Sequence, residues 1–161
     1  MEIVQIDKSK AAFLSDFASE VFIDYYSDRI GHDQSVYMAD LFLSPEAITE
    51  LIGKGAVFKM LMEDEKPLGF TEYIKEEDRI FLSKLYVAKS ERGKGLGRIL
   101  FEDCRNYATE NGIHKIYLTV NKYNTPSYEI YLHLGFHVTD AVVNDIGHGY
   151  VMDDYIMELE V

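Results

Sequence analysis

The chain places three glycines at alternate positions between basic residues in the stretch Glu91-Arg92-Gly93-Lys94-Gly95-Leu96-Gly97-Arg98. An apolar helical pattern follows at once, so this loop leads into the N-terminus of a helix. The unpaired N–H groups and the positive dipole end of such a terminus attract anions, and glycines let a phosphate oxygen approach the backbone. The loop therefore predicts a phosphate-binding site, and a simple glycine-rich turn before a helix is the alternative.

The spacing of these glycines differs from that of two common phosphate loops. A Walker loop needs G-x-x-x-x-G-K followed by Ser or Thr, and no such residue follows Lys94. The dinucleotide fingerprint needs G-x-G-x-x-G after the first strand of a βαβ unit, whereas this loop reads G-x-G-x-G after a predicted antiparallel meander. The loop belongs to neither class.

The composition narrows the class of protein. A length of 161 residues predicts one domain, residues 1–161, and a formal net charge of −12 argues against a nucleic-acid partner, since phosphates need a basic face. No apolar run is long enough to span a membrane, and the first ten residues do not read as a signal peptide. The single cysteine, Cys104, excludes a disulfide framework and a cysteine-rich metal site. These features predict a soluble, cytoplasmic protein.

Periodicity predicts a mixed α/β sheet with helices on both faces, in the order β-α-α-α-β-β-β-α-β-α-β-β. The predicted strands are Glu2–Ile6, Ala56–Glu63, Leu68–Lys75, Ile80–Val87, Lys115–Val120, Phe136–Val143 and Tyr150–Glu160. The predicted helices begin at Ser9, Gln34, Pro45, Leu96 and Thr125. Two helices show an apolar helical pattern: Phe13, Phe17, Val21 and Tyr25 in the first; Leu96, Ile99, Leu100, Cys104, Tyr107 and Ala108, on one face, in the fourth. The last helix carries Ile130, Leu132 and Leu134 and ends at Gly135.

Two segments together resemble one known family. The run from Arg92 to Gly97 matches the R/Q-x-x-G-x-G/A signature of the GNAT superfamily of acyl-CoA N-acyltransferases, and Lys84 to Val87 is similar to the strand before it. The run from Asn124 to Phe136 fits the N-x-x-A/S-x-x-x-Y-x-x-x-G-F segment of the same family. The resemblance implies an α/β (α+β) fold with a mixed, mostly antiparallel sheet of six to seven strands.

The resemblance also implies where acetyl-CoA, the cosubstrate, would bind. In this family the N–H groups of the glycine loop hold the pyrophosphate of coenzyme A, and the strand before the loop pairs its backbone with the pantetheine arm. Asn124 would contact the pantetheine or phosphate region, while its alternative is a turn residue before a helix. The implied cofactor-binding residues are Leu85, Tyr86, Val87, Arg92, Gly93, Lys94, Gly95, Leu96, Gly97, Arg98 and Asn124.

The catalytic chemistry implied by the resemblance is direct acetyl transfer to an amine, with no metal. Tyr131 matches the tyrosine that protonates the departing thiolate, and a backbone N–H near Val87 would polarise the thioester carbonyl. A helix tyrosine that packs on the sheet is the alternative for Tyr131. The strand lacks the glutamate that many members use as general base, so Glu72 on the neighbouring strand is the candidate, with a water relay or a surface role as alternatives.

The acceptor side of the site is expected at two acidic segments. The closing segment from Asn144 to Tyr155 is similar to the C-terminal hairpin of bacterial spermidine/spermine acetyltransferases, where acids could pair with a cationic chain and His148 could order the turn. Acidic and aromatic groups both suit an ammonium ligand, and a solvated hairpin is the alternative. The implied substrate residues are Asp24, Tyr25, Asp145, Asp153 and Asp154.

Three functions fit the sequence. The favoured one is an acetyltransferase for a small cationic amine, most simply a polyamine, because a negative field concentrates cations. The second is the same chemistry on a protein N-terminus or lysine, and the third is a sensor that binds acyl-CoA without turnover. Family members often form homodimers, so a homodimer is expected from the resemblance alone.

Overall fold

The computed structural model describes residues 1–161. Its helices are α1 (Ala11–Ile30), α2 (His32–Leu43), α3 (Pro45–Gly53), α4 (Leu96–Glu110) and α5 (Thr125–His133). Its strands are β1 (Glu2–Ile6), β2 (Val57–Glu63), β3 (Lys66–Lys75), β4 (Ile80–Val87), β5 (Lys115–Asn121), β6 (His137–Gly147) and β7 (Tyr150–Glu160). None of the helices combines the length and apolar content needed to cross a bilayer.

The seven strands form one sheet in the order β1-β2-β3-β4-β5-β7-β6. Every neighbouring pair is antiparallel except β4 and β5, which run parallel. Helices α1, α2 and α3 pack on one face, and α4 packs on the other. The mixed, mostly antiparallel sheet with helices on both faces that the sequence predicted is confirmed, at the upper limit of seven strands.

The two parallel strands part soon after they meet. The pairing of β4 with β5 is limited to Ile80 with Ile116 and Phe81 with Tyr117. Directly after this point β4 has a bulge, because Tyr73 of β3 opposes Leu82 while Glu72 opposes Lys84, and Ser83 is left over. A cleft therefore opens between the rest of β4 and the rest of β5.

The core on one side of the sheet lies under α4. Its buried stripe is Leu96, Leu100, Phe101, Cys104 and Ala108. The predicted stripe was right except at one edge, since Ile99 is 41% exposed and Phe101 takes its place. Burial raises the pKa of the Cys104 thiol to about 12, which agrees with the prediction that this cysteine is a core residue and not a nucleophile.

The inward face of α1 is rotated by about one residue from the predicted one. Phe13 is 48% exposed, and the helix buries Leu14, Ala18, Phe22 and Tyr26 instead. Both sets recur every four residues, so this spacing alone does not show which of two adjacent stripes of the helix faces the sheet. The prediction for α1 was therefore wrong at Phe13 and right at Val21, which is buried, and it missed four buried positions: Leu14, Ala18, Phe22 and Tyr26.

The apolar residues Ile130, Leu132 and Leu134 of α5 do not form one face. Ile130 and Leu132 are exposed, and α5 turns Tyr128 and Tyr131 toward the sheet. Residues two apart lie on opposite sides of a helix, so Ile130, Leu132 and Leu134 could not form one buried stripe. The inward position of Tyr131 is what brings its side chain to the parting of β4 and β5.

Candidate active site where two strands part

The glycine loop leaves the first turn of α4 open. Gly93 and Gly95 have φ angles of 81° and 78°, in the left-handed region that favours glycine, and a Cβ at either would meet no atom within 4 Å. Gly95 precedes α4, and no side chain caps its first N–H groups. These groups carry the positive end of the helix dipole, so the loop has the geometry of an anion site.

Arg92 ties this loop to the end of β4 and to α1. Its Nε donates to the carbonyl oxygen of Val87 at 3.1 Å. Its guanidinium also lies 4.9 Å from the ring centre of Tyr25, with a nitrogen 4.0 Å from the carboxylate of Asp24. Asp24 and Tyr25, which the sequence analysis assigned to the amine, therefore lie against a cation of the glycine loop.

The other two cations of the loop are more exposed. Lys94 donates to the Oε2 atom of Glu91 at 2.8 Å, and Lys66 donates to Oε1 at 3.2 Å. These two hydrogen bonds hold the pKa of the Glu91 carboxyl below its usual value. Arg98 lies exposed on the first turn of α4 and has no ion-pair partner. Arg92 and Arg98 therefore offer charge at the mouth of the loop, while Lys94 is partly neutralised.

The free edge of β4 faces the cleft. The N–H of Ala88 donates to the carbonyl oxygen of Leu68 in β3. Because residues that bond to the partner strand alternate with residues that do not, the N–H and C=O groups of Leu85 and Val87 point away from β3. Tyr86 instead directs its side chain to α1, where its hydroxyl lies 3.1 Å from that of Tyr26. The strand thus offers backbone groups at Leu85 and Val87 to an extended ligand.

Tyr131 reaches the same region from α5 with a free hydroxyl. Its ring packs edge-on against Phe136 at 5.6 Å, and its hydroxyl has no hydrogen-bond partner within the chain. Burial, and next the nearby phenols of Tyr26 and Tyr25, raise the pKa of Tyr131 above that of an ordinary phenol. The side chain is therefore protonated at neutral pH and is available as a proton donor.

Asn124 joins α5 to α1 below the cleft. Its Oδ1 accepts from the N–H of Ser127 at 3.3 Å, which caps α5, and it also accepts from the hydroxyl of Tyr25. Its Nδ2 donates to the hydroxyl of Tyr26 at 3.2 Å. The helix-cap alternative is therefore observed, and the side chain is buried with these partners. Its role toward a cofactor stays a prediction.

Glu72 is not a surface residue. It is 3% exposed, and its Oε1 accepts from Nζ of Lys84 at 3.1 Å across the β3–β4 pair. The ammonium of Lys84 also lies 5.5 Å from the ring centre of Phe42 on α2. The surface alternative is therefore wrong, and the base role of Glu72 stays a prediction for a carboxylate that already has a cationic partner.

The three acids of the closing hairpin do not form one wall. Asp145 accepts from the N–H of Gly147 and orders the turn, while Asp153 forms an ion pair of 2.9 Å with Lys122. Asp154 follows Asp153 in an extended strand, so the two side chains point to opposite faces of the sheet. The prediction that these acids pair with a cationic chain therefore does not rest on one common face, and only Asp154 faces α1.

The hairpin turn itself docks on α2. The hydroxyl of Tyr37 donates to the carbonyl of Ile146 at 2.5 Å, and its ring contacts that of His148 at 4.8 Å. His148 has a φ of 53°, as expected of a residue that orders a tight turn. The predicted role of His148 in the turn fits these contacts, whereas Tyr37 is a partner that no spacing signal revealed.

Asp154 is the carboxylate that reaches the aromatic side of the cleft. It opposes Asn121 at the end of β5 and is 3% exposed, with no hydrogen bond to its side chain. Burial, and next the charge of Asp153, raise the pKa of Asp154 to about 6, against the opposing effect of Lys122. Its charge also acts on the phenol of Tyr26, whose pKa burial raises to about 12.

Comparison with known proteins agrees with this geometry. Residues 16–136 match the sequence pattern of a family described as the acetyltransferase (GNAT) family. The chain belongs to this family. It covers all of the PaiA N-acetyltransferase from Thermoplasma acidophilum in complex with coenzyme A, at 21% identity and a TM-score of 0.84. A GNAT acetyltransferase from Elizabethkingia anophelis with acetyl-CoA bound matches over 70% of this chain and 82% of that one, at 17% identity and a TM-score of 0.59.

A curated relative matches over a shorter stretch. The streptothricin acetyltransferase of Streptomyces lavendulae is 34% identical over 58 residues, which are 36% of this chain and 31% of that enzyme. The chain therefore matches less than a third of that relative's length. The structural matches, at these low identities, show that the GNAT fold is shared over nearly the whole chain.

Proposed function

We propose that this protein is an acetyl-CoA-dependent N-acetyltransferase. The observation that carries the proposal is the meeting, at one cleft, of an uncapped helix terminus, a free β4 edge and the unpaired hydroxyl of Tyr131. Family membership supports it, and so do the fold relatives that hold coenzyme A or acetyl-CoA.

The residues present fit a coenzyme A moiety. The pyrophosphate would accept hydrogen bonds from the N–H groups of the loop from Arg92 to Gly97, with Arg98 beside it. The open space over Gly93 and Gly95 leaves those N–H groups accessible. The backbone of Leu85 and Val87 would bind the pantetheine arm as an added strand would, and Asn124 lies at the opposite side of the cleft.

In the reaction, acetyl-CoA supplies an activated acetyl group to a neutral amine. The N–H of Val87 would stabilise negative charge on the carbonyl oxygen, since it points away from β3. The hydroxyl of Tyr131 would donate its proton to the departing sulfur, and burial keeps that hydroxyl protonated. The sensor alternative gives no reason for a phenol with an unpaired hydroxyl at this place.

The acceptor that the charges favour is a small cationic amine, and a polyamine is the simplest example. The net charge of −12 attracts cations to the surface as a whole. Within the cleft, Asp154 is a carboxylate without a partner, and its charge acts on the phenol of Tyr26, whose ring packs edge-on against that of Tyr86. Protein lysines and N-termini share this chemistry and remain the second candidate. The cytoplasmic location and the homodimer stay predictions.

The test is acetyl-CoA-dependent thiol release across a panel of acceptors: spermidine, spermine, streptothricin, an aminoglycoside and a basic peptide. Streptothricin is included because of the short match to a streptothricin acetyltransferase. Saturable release with a polyamine supports the full proposal. Release with only streptothricin, the aminoglycoside or the peptide rejects the polyamine. No release with any amine, together with tight acetyl-CoA binding by calorimetry, favours the sensor.

A further inference from the structure

Asp154 is placed on the acceptor side of the sheet by the register of β7. Tyr155 and Met157 pack on the α4 side, and Met152 packs on the α1 side. Asp154 shares the face of Met152 by alternation, and it stands next to Asn121, where β5 has already separated from β4. The carboxylate therefore lies near the open end of the cleft.

The Asp154 side chain has no hydrogen-bond or ion-pair partner in the chain, and its carboxylate oxygens keep contact with the cleft. The residue as a whole retains 3% of its exposed area. Burial of a charge without a partner costs stability, and residues kept in that state are candidates for function. The other buried carboxylate on this face, Glu72, forms an ion pair with Lys84 and is therefore not an unpaired charge.

We propose that Asp154 is the base that accepts the proton of the attacking amine. This inference rests on the acetyltransferase function proposed above. It assigns a residue to the role of general base, for which β4 carries no glutamate. Asp154 receives the proton directly or through one water, while Glu72 serves with Lys84 to fix the β3–β4 pair. The Asp154 carboxylate also attracts the ammonium form of the acceptor.

The step balances in atoms and charge. The amine nitrogen forms a bond to the thioester carbonyl carbon and gives one proton to Asp154. The bond from that carbon to sulfur then breaks, and sulfur takes the proton of the Tyr131 hydroxyl. The products are the N-acetylated amine and the free thiol, and one proton moves through water from Asp154 to the Tyr131 phenolate to restore both groups.

The groups that face Asp154 decide its pH dependence. Tyr26 reaches it from α1 and stays neutral below about pH 12, so it adds no charge at neutral pH. Asp153 beside it in β7 raises the pKa of Asp154, while Lys122 from the turn before α5 lowers it. The effect of burial on the pKa is larger than the effect of either charge, so Asp154 becomes an ionised base only as the pH rises through about 6.

The experiment measures kcat/KM against pH from 5 to 9 for the wild type and Asp154→Asn. The acceptor is the amine of the panel that the wild type acetylates fastest. For the wild type, we expect the slope of log kcat/KM plotted against pH to decrease by about one near pH 6, because Asp154 loses its proton there. Asp154→Asn should lack that break. At pH 7.5 its kcat/KM should be lower by about 10²- to 10³-fold, which is within the usual contribution of a general base.

Three further measurements separate this role from a structural one. Acetyl-CoA affinity by calorimetry should be unchanged in Asp154→Asn. Asp140→Asn makes the same substitution at an exposed position of β6 and should keep the wild-type profile. Glu72→Gln should keep the break near pH 6. A break that persists in Asp154→Asn, or that disappears in Glu72→Gln alone, overturns the assignment but leaves the acetyltransferase standing. A wild type inactive on every amine overturns both.

Discussion

Nε of Arg92 donates a 3.1 Å hydrogen bond to the carbonyl oxygen of Val87, the last residue of β4. This bond fixes the glycine loop relative to the strand that would hold the pantetheine arm. The guanidinium has further contacts with Tyr25 and Asp24 of α1. One side chain thus sets the position of the three elements that surround the cleft.

Charge reversal by Arg92→Glu should weaken acetyl-CoA binding at least ten-fold. The change replaces a positive charge at the mouth of the phosphate site by a negative one and removes the hydrogen bond that fixes the loop on Val87. A ten-fold loss of affinity corresponds to about 1.4 kcal/mol. It also places a second carboxylate beside Asp24. Isothermal calorimetry gives the affinity, and Arg105→Glu, the same change at an exposed position farther along α4, should leave it within about two-fold. Equal affinity for both variants would mean that the loop is only a turn.

Removal of one hydroxyl by Tyr131→Phe should lower kcat by about 10²–10⁴-fold, the usual contribution of a general acid. The fold should not suffer, because that hydroxyl has no partner in the chain, and acetyl-CoA affinity should stay nearly the same. Steady-state kinetics with the fastest acceptor, together with calorimetry, check both expectations.

The matched control for this variant is Tyr123→Phe, which deletes a hydroxyl from a tyrosine that is exposed just before α5. It should behave as the wild type in both assays. A kcat for Tyr131→Phe within three-fold of the wild type would leave Tyr131 with the packing role against Phe136 that was its alternative.

The two glycines on either side of Leu96 should respond oppositely to the same added methyl group. Gly95→Ala puts a Cβ on a residue with φ of 78° and should destabilise the protein by about 1–2 kcal/mol. Gly97→Ala meets Leu85 at 3.5 Å, an ordinary contact, and lies within α4, so stability should hold or rise by up to about 1 kcal/mol. Urea unfolding midpoints measure both, and equal loss in both variants would contradict the left-handed requirement at Gly95.

Local patterns in the sequence predicted well the elements around the glycine loop. The strand from Ile80 to Val87 and the strand from Tyr150 to Glu160 were placed with their observed bounds. The glycine loop and the helix after it depend on backbone conformation, and glycine and proline are strong signals of that conformation. Family resemblance then supplied roles that spacing alone could not.

The acceptor side was harder to predict because it depends on contacts between distant elements. The alternation of a strand would have separated Asp153 from Asp154. Steps of three and four residues back from Val21 would have placed Leu14, instead of Phe13, on the inward face of α1. No local signal, however, indicates that Lys84 neutralises Glu72, since that contact requires the register of β3 against β4. The same holds for Tyr37 under the hairpin turn.

The burial of Asp154 predicts a pH-dependent cost to stability. Its pKa lies near 6 in the folded protein, above the usual value near 3.9 in an unfolded chain. The folded state therefore holds the proton more tightly, and the stability that this provides is complete below about pH 4 and lost as the pH rises through 6. Asp154→Asn removes the charge, so we expect it to be more stable than the wild type by about 1–2 kcal/mol at pH 7.5.

The comparison is made by urea unfolding at pH 7.5 and at pH 4, where the two proteins should differ by less than about 0.5 kcal/mol. Asp140→Asn, at an exposed site, should match the wild type at both pH values. A gain in stability at pH 7.5 together with a loss of turnover would identify a residue retained for function at the expense of the fold. A loss of stability at pH 7.5 would instead show that ionised Asp154 has a stabilising partner in solution, which would contradict the burial of an unpaired charge.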